Sequence, residues 1–329
     1  MTIKELAELA GLSVGTVSMS LNNNPMVSED TKEKVLKLAK EHNYVINQSA
    51  KRLSTNKSGL IGVIVTKNNN PFFANFVYEL DRAITDTEYT MLLGFSGNDV
   101  NREERLVDTF ISNQVEGIII VPSDKIQNCS HLNRIKDLRI PLVFSTTAYK
   151  DFENDVVMTD LEHGEYILVD YLLKRGYRSI VFVNGNSSMM HFRLRLWGYI
   201  KAFKDNGLKH SDNCIFETIP DYESGYNLVE KVLEQKPDVI ITANDYLAFG
   251  IMKKLEELNY DIPNDIAVAG YDDLQFSNLI SHPLTTIRQP VKDIAQQSLN
   301  YLIDKIKNQK QESEGILLEP KLIIRSSTK

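Results

Sequence analysis

Near the start of the chain, apolar positions recur at helical spacing. Ile3, Leu6, Ala7 and Ala10 fall at i, i+3, i+4 and i+7, which is one face of a helix. Gly11-Leu12-Ser13 breaks the period. Gly11 suits the left-handed residue that ends a helix, and Ser13 suits the N-cap of the next. Val17 and Leu21 then stand one turn apart and pack back on the first helix. Thr16, Ser18 and Asn22 are left outside, where they meet phosphates. Ser28 caps a third helix with Glu29 and Asp30 in its first turn. Val35, Leu38 and Ala39 form its apolar face, and Lys32, Lys34, Lys37 and Lys40 decorate the rest. A helix, a three-residue turn and a second helix deliver a helix to the DNA major groove. Two helices packing for stability alone carry the same pattern. The third helix makes the stretch a compact module.

From Leu60 the texture changes. Apolar runs at 60–65, 91–95, 117–121, 141–145, 179–183, 238–242 and 266–270 alternate with amphipathic helical stretches at 73–87, 101–113, 161–175, 192–206 and 245–258. Continuous apolar strands spaced by helices predict parallel sheets covered on both faces. There are too many strands for one comfortable sheet, so two lobes are expected. Ligands of such sheets bind beyond the carboxyl ends of the strands. The residues found there are Asn70-Pro71-Phe72-Phe73, Asn184-Gly185, Asn244-Asp245 and Tyr271-Asp272-Asp273. Amides, carboxylates and aromatic rings suit a polyhydroxylated or heteroaromatic small molecule. Asn244 and Asp245 equally suit the capping of the next helix.

Composition changes the picture only in places. The chain has 329 residues, 42% hydrophobic and 25% charged, as in an ordinary globular protein. No apolar run approaches the roughly 18 residues of a membrane span, and MTIKELAELA lacks the features of a secretory leader. Cys129 and Cys214 show no metal-like spacing, so free thiols in a reducing cytoplasm are expected. The net charge of −7 runs against DNA binding, but it is unevenly placed. Residues 1–57 hold 8 Lys/Arg against 6 Asp/Glu, and the remainder holds 29 against 38. A weakly basic head on an acidic body keeps DNA contact to the head. Residues 47–54 are polar and helix-capable, with Leu53 their one large apolar side chain. Alone they read as a solvated tether, and a partner can fold them.

Gly11-Leu12-Ser13-Val14-Gly15 matches the G-x-S-x-G pattern of hydrolase nucleophiles. That motif needs a strand before the serine, and here a helix precedes it, so Ser13 is not read as catalytic.

Taken in order, these stretches resemble the LacI family of bacterial transcriptional regulators over essentially the whole chain. The resemblance rests on TIKELAELAGLSVGTVSMSLN, VSEDTKEKV, NYVINQSAKRL, GLIGVIV, RLRLWGY, ANDYLAFG, VAGYDDLQFS and HPLTTIRQP. It implies an α/β protein with a three-helix helix-turn-helix head over 1–46 and a hinge helix and linker over 47–57. A two-lobed, periplasmic-binding-protein-like core of parallel sheets flanked by helices follows over 58–329. It also implies a homodimer on pseudo-palindromic operator DNA, with helix 14–21 in each half-site. Paired hinge helices wedge Leu53 into the minor groove, with Ala50 as the small hinge residue. Val14 and Gly15 stand at base-reading positions. Met19 stands where arginine is usual, which removes a guanine contact. Thr2, Ser13, Thr16, Ser18, Asn22 and Ser28 complete the DNA-binding set. Ile46 replaces the usual proline before the hinge.

In the core, the resemblance assigns the effector to Phe72, Phe73, Asp160, Arg195, Asn244 and Asp272. Arg195 is the bidentate grip and Asp272 the acceptor of hydroxyls or ring nitrogens. Trp197 is expected in the core rather than the pocket. No metal or cofactor is implied. The chain shows no heptad tail, so dimers rather than coiled-coil tetramers are expected. The expected function is repression of a catabolic operon, switched by a small molecule, most simply a sugar or sugar derivative. A purine is the alternative effector. A phosphoprotein corepressor, as in the catabolite-control branch of the family, is a further alternative, although that branch has an arginine where this chain has Asn300. A sugar-binding transport protein accounts for the body but not the head. An enzyme finds no nucleophile–base pair, metal set or phosphate loop here.

Overall fold

The computed structural model describes residues 1–44, 57–66, 70–123, 130–149, 152–308 and 314–329. Ile46, Ala50, Leu53 and Cys129 lie outside the described residues. The chain divides into two compact units, Met1–Ser58 and Gly59–Lys329. No described helix is long and apolar enough to cross a membrane.

The first unit holds α1 (Ile3–Ala10), α2 (Val14–Leu21) and α3 (Glu29–Glu41). Leu6, Ala7, Ala10, Val17, Val35 and Ala39 form its core. Thr2 and Glu5 close a capping box at the start of α1, with bonds of 2.8 and 3.3 Å. Gly11 takes φ +67°, and the Leu12 N–H donates to the Ala7 carbonyl at 3.0 Å, so the helix ends where the glycine permits. The Ser13 hydroxyl accepts the Thr16 N–H at 3.1 Å and starts α2.

Two details differ from the sequence reading. Ser28 sits at the N-cap of α3, but its hydroxyl pairs with that of Thr31 at 2.8 Å and caps no backbone group. Lys32 is buried rather than on the solvent face, its ammonium bonded to Glu29 at 2.7 Å. Lys34 donates to the Ala10 carbonyl at 2.8 Å, so a cation caps the negative end of α1.

The second unit is built on two six-stranded sheets. The first contains β1 (Leu60–Val65), β2 (Thr90–Phe95), β3 (Gly117–Ile120), β4 (Leu142–Ser145), β5 (Val156–Thr159) and β11 (Ile316–Leu318). Its spatial order is β11-β5-β4-β3-β1-β2, parallel throughout. The second contains β6 (Ile180–Asn184), β7 (Ile215–Glu217), β8 (Val239–Thr242), β9 (Ala267–Asp272), β10 (Thr285–Arg288) and β12 (Lys321–Ile323). Its order is β12-β10-β9-β8-β6-β7, and β12 alone runs antiparallel to its neighbour. Central strands such as β3 and β8 are buried at every position, which is why they read as unbroken apolar runs.

The first lobe carries α4 (Pro71–Thr85), α5 (Val100–Ser112), α6 (Ser130–Asp137) and α11 (Val291–Asn308). The second carries α7 (Leu161–Lys174), α8 (Met190–Asp205), α9 (Tyr222–Leu233) and α10 (Asp245–Glu257). The chain passes between lobes three times, after β5, after β10 and after β11. The passages are tied together. Thr159 donates to the Gln289 side-chain carbonyl at 2.8 Å, and the Asp160 N–H donates to the Leu318 carbonyl at 2.9 Å. Trp197 is 49% exposed, 5.6 Å beneath the Arg193 guanidinium, so it belongs to neither core nor cavity.

Candidate functional site

Helix α2 of the head presents an open face. On α2, Val17 and Ser20 are buried, while Val14 (40%) and Met19 (37%) are exposed. Val14, Gly15, Ser18, Met19 and Asn22 follow one another along that face at helical spacing. A Cβ on Gly15 would meet only the Ser13 hydroxyl, at 3.7 Å, so the surface there is open to a partner. Some of the predicted polar contacts are already engaged. The Asn22 amide donates to the Ser18 carbonyl at 2.8 Å, and the Ser13 and Thr16 hydroxyls pair at 2.9 Å. Ser28 pairs with Thr31, and Thr2 is held in its capping box. A phosphate only accepts, so contact with one requires these side chains to aim an O–H or N–H donor at it, turned away from its present partner where it has one.

In the second unit, a cavity of about 410 Å³ opens at the carboxyl ends of both sheets. Its size falls within the usual range for small-molecule sites. Five of the six predicted effector residues line it: Phe72, Phe73, Arg195, Asn244 and Asp272. Asp160 does not. Its carboxylate accepts the His163 N–H at 2.9 Å and caps α7, facing a different depression. The phenylalanines come from the start of α4, where Asn70 caps the helix and Pro71 begins it. Asn244 lines the cavity and also caps α10: its side-chain oxygen accepts from the Leu247 N–H at 2.9 Å while its amide donates to the Pro220 carbonyl. The capping reading is therefore seen directly, and the same side chain borders the cavity. Asp245 is purely internal, bonded to Thr286, Ser277 and the Leu274 N–H. Asn184 turns inward, bonded to Phe192 and Gly185.

Arg195 and Asp272 are the charged centre of the cavity. Both are buried, with the guanidinium 3.8 Å from the carboxylate. The Arg195 guanidinium carbon sits 4.1 Å over the Tyr271 ring, a cation–π contact. Asp272 accepts from the Gln289 amide at 2.7 Å. Burial pushes its carboxyl up to about 6, against the pull of Arg195 and Gln289. Asp245 behind it is pushed up to about 7 by burial and by the Asp272 charge. Asp272 and Asp273 both take positive φ, +116° and +54°, which is strained for non-glycine residues. The strain turns adjacent carboxylates apart. Asp273 leaves the cavity to bond Arg288 and Arg325, each at 2.6 Å.

Some lining residues were missed in the sequence. His191 stands one turn before Arg195 on α8, and helical spacing from the arginine identifies it. Its Nδ1 lies 3.3 Å from the Thr147 hydroxyl of the other lobe. Burial, then Arg195, drives its imidazole down to about 3, so it is neutral. Gln289 lies inside the HPLTTIRQP stretch and joins Asp272 to Thr159. Asn300 lies exposed on α11 and accepts from Gln296 at 3.1 Å. Among the described residues, no group of three or more His, Cys, Asp or Glu is placed to hold a metal ion.

Comparison with known proteins adds to this geometry. Residues 58–326 match the family model for periplasmic binding proteins and the sugar binding domain of the LacI family, and residues 2–47 match that for bacterial regulatory proteins of the lacI family. The ribose operon repressor of Haemophilus influenzae is 28% identical over 330 residues, covering 99% of this chain and 98% of its own. The transcriptional repressor PurR of Histophilus somni is 30% identical over 331 residues, covering 100% of this chain and 99% of its own. Among solved structures, the lac repressor dimer bound to operator and the anti-inducer ONPF superposes with a TM-score of 0.89 at 26% identity, over 100% of this chain and 99% of that one.

Proposed function

The chain belongs to the LacI family of bacterial regulatory proteins, and from that premise we propose how its head and its cavity work as one regulator. It is a transcriptional repressor with a DNA-binding head and an effector-binding core. The head over 1–46 reads a pseudo-palindromic operator as one half of a homodimer, through the open face of α2. Residues 47–57 form the hinge, where Leu53 wedges the minor groove. The core over 58–329 binds a sugar or sugar derivative between its lobes. The regulator works in the cytoplasm and catalyses no reaction.

The observation that carries this reading is the cavity itself. It is lined from both lobes, and its charged centre is bonded through Gln289 to Thr159, where the chain passes between lobes. An effector held by Arg195 and Asp272 therefore acts on the passages that set the lobe arrangement. It shifts operator affinity by its differential free energy for the two arrangements. The aromatic walls and the amides suit sugar rings and their hydroxyls. The relative named for the ribose operon supports a sugar, and a purine, whose flat ring the same aromatic and amide lining suits, is the second reading.

The test is thermal stability of the pure protein against sugars, sugar phosphates and nucleobases. A ligand at 100 times its Kd stabilises by roughly 2.7 kcal/mol. A sugar hit that also alters operator affinity supports the proposal. A hit restricted to nucleobases selects the second reading. Silence across the panel removes these three ligand classes and turns attention to an unusual metabolite or to a protein corepressor at the surface around Asn300.

A further inference from the structure

We propose that Glu165 is a positioning residue: a sealed carboxyl behind the Arg195 guanidinium, without hydrogen-bond partners among the described residues, it governs where that guanidinium stands relative to the effector cavity. The proposal rests on Arg195 being the effector's grip, and it concerns what lies behind that grip.

Helices α7 and α8 meet at backbone distance. A Cβ on Gly198 would stand 2.2 Å from the Glu162 carbonyl and 2.9 Å from the Glu165 Cβ. A Cβ on Gly164 would stand 2.2 Å from the Tyr271 hydroxyl oxygen. Glu165 is sealed at this junction, with 0% of its surface exposed. Neither of its carboxyl oxygens has a hydrogen-bond partner among the described residues. Helix α8 faces it with Arg195 and Tyr199, and β9 with Tyr271, while Asp272 lies on the far side of Arg195 as that residue's own partner. β10 contributes the apolar Ile287 beside Gly164. Arg195 is the one cation in this set.

Arg195 is itself incompletely bonded. Its Nε, buried, has no hydrogen-bond partner among the described residues. The guanidinium is held by the Tyr271 ring at 4.1 Å and by the Asp272 charge at 3.8 Å. Ring and charge attraction leave more freedom of position than a hydrogen bond does.

Two arrangements follow. With Glu165 protonated, the opposite charge near the guanidinium is Asp272, on the cavity side, and the donors face the effector. With Glu165 ionised, a buried carboxylate has Arg195 as its cation. It draws the Nε–H into a charge-assisted hydrogen bond and withdraws the guanidinium from the cavity. The proton passes from the carboxyl to solvent, and no covalent bond in the protein changes. Burial holds the carboxyl protonated at neutrality, pushing it up to about 8 against the pull of Arg195. The grip is therefore complete at neutral pH and loosens in mild base.

The test uses the full chain without effector, labelled with 13C at glutamate side-chain carboxyls and 15N at arginine Nε. One glutamate carboxyl should titrate near pH 8 and vanish in Glu165→Gln. The Arg195 Nε–H resonance, assigned by its loss in Arg195→Lys, should shift with the same midpoint in the wild type. It should stay fixed with pH in Glu165→Gln. An Arg195 resonance that is unmoved across this range overturns the proposal, as does one that moves equally in both proteins. If Glu165→Gln does not fold, the wild type decides alone: carboxyl and Nε midpoints more than about one pH unit apart refute the coupling. Because no effector is present, failure here is distinct from failure of the effector assignment. That assignment fails if Arg195→Lys keeps its full thermal response to the panel.

Discussion

Replacing Glu165 by glutamine removes a titrating group from the interior while keeping its size. The folded chain holds this carboxyl up at about 8, against an ordinary value of 4.5, because it is buried. Below about pH 4.5 both folded and unfolded chains carry the proton, and full stability is present. As pH rises, the unfolded chain ionises first and the folded chain does not, so stability is lost progressively until the folded pKa is passed near pH 8. Each pH unit across that window costs about 1.4 kcal/mol, for a total on the order of 4–5 kcal/mol. Glutamine carries no proton and escapes this slope. Its own buried amide is penalised, but equally at every pH. Asp245 and Asp272, also raised, contribute slopes to both proteins that cancel in the difference. For a domain of this size, 1 kcal/mol moves Tm by roughly 2–4 °C. The variant should therefore gain about 10 °C over the wild type between mild acid and mild base. Thermal melts of both full chains across that range, at constant ionic strength, measure it. A Tm difference that does not change with pH refutes the reasoning.

Three further outcomes are expected. Asp272→Asn should abolish the thermal response to effector while operator binding by gel shift persists, since the head contains no part of the cavity. Gly198→Ala should cost roughly 3 kcal/mol or more in a denaturant melt, because its methyl meets the Glu162 carbonyl at 2.2 Å and backbone cannot step aside; a near-neutral effect contradicts the tight α7–α8 contact. Gly15→Ala should stabilise the head by up to about 1 kcal/mol, since its Cβ meets only the Ser13 hydroxyl. The same change should alter operator affinity, and unchanged affinity means that this part of α2 does not touch DNA.

Elements made by their own side chains were legible in the sequence. The runs that became β1, β3, β6 and β8 are buried at nearly every position, and burial on both faces leaves an unbroken apolar signal. The edge strands β7, β11 and β12 were not read. Each has three residues and is partly exposed, so sequence alone does not separate them from loop. Helix α11 was also missed. Ile294, Leu299 and Leu302 do face its core, but Lys, Gln and Asn between them dilute the period. The site divides in the same way. Arg195 and Asp272 stood in recognisable motifs, and the tertiary fold brings them together. Asp160 was misleading because an aspartate that caps a helix and one that meets a ligand look alike in sequence. Glu165 carried no signal, because its interest lies in what does not bond to it.

The three passages between lobes have a consequence for the order in which the protein is made. Each sheet waits for an edge strand from the far end of the chain: β11 completes the first and β12 the second. Ser327 and Thr328 then bond to Thr285, and Ser327 to Val268, closing the second lobe against residues made some forty to sixty positions earlier. Neither lobe is a continuous stretch of chain, so neither is complete until its last strand, β11 or β12, has been made. The head is continuous and local, and its core residues all lie between Leu6 and Ala39, so all its partners are present once that stretch has emerged. During every round of synthesis, therefore, a DNA-reading surface exists before the part that responds to effector does.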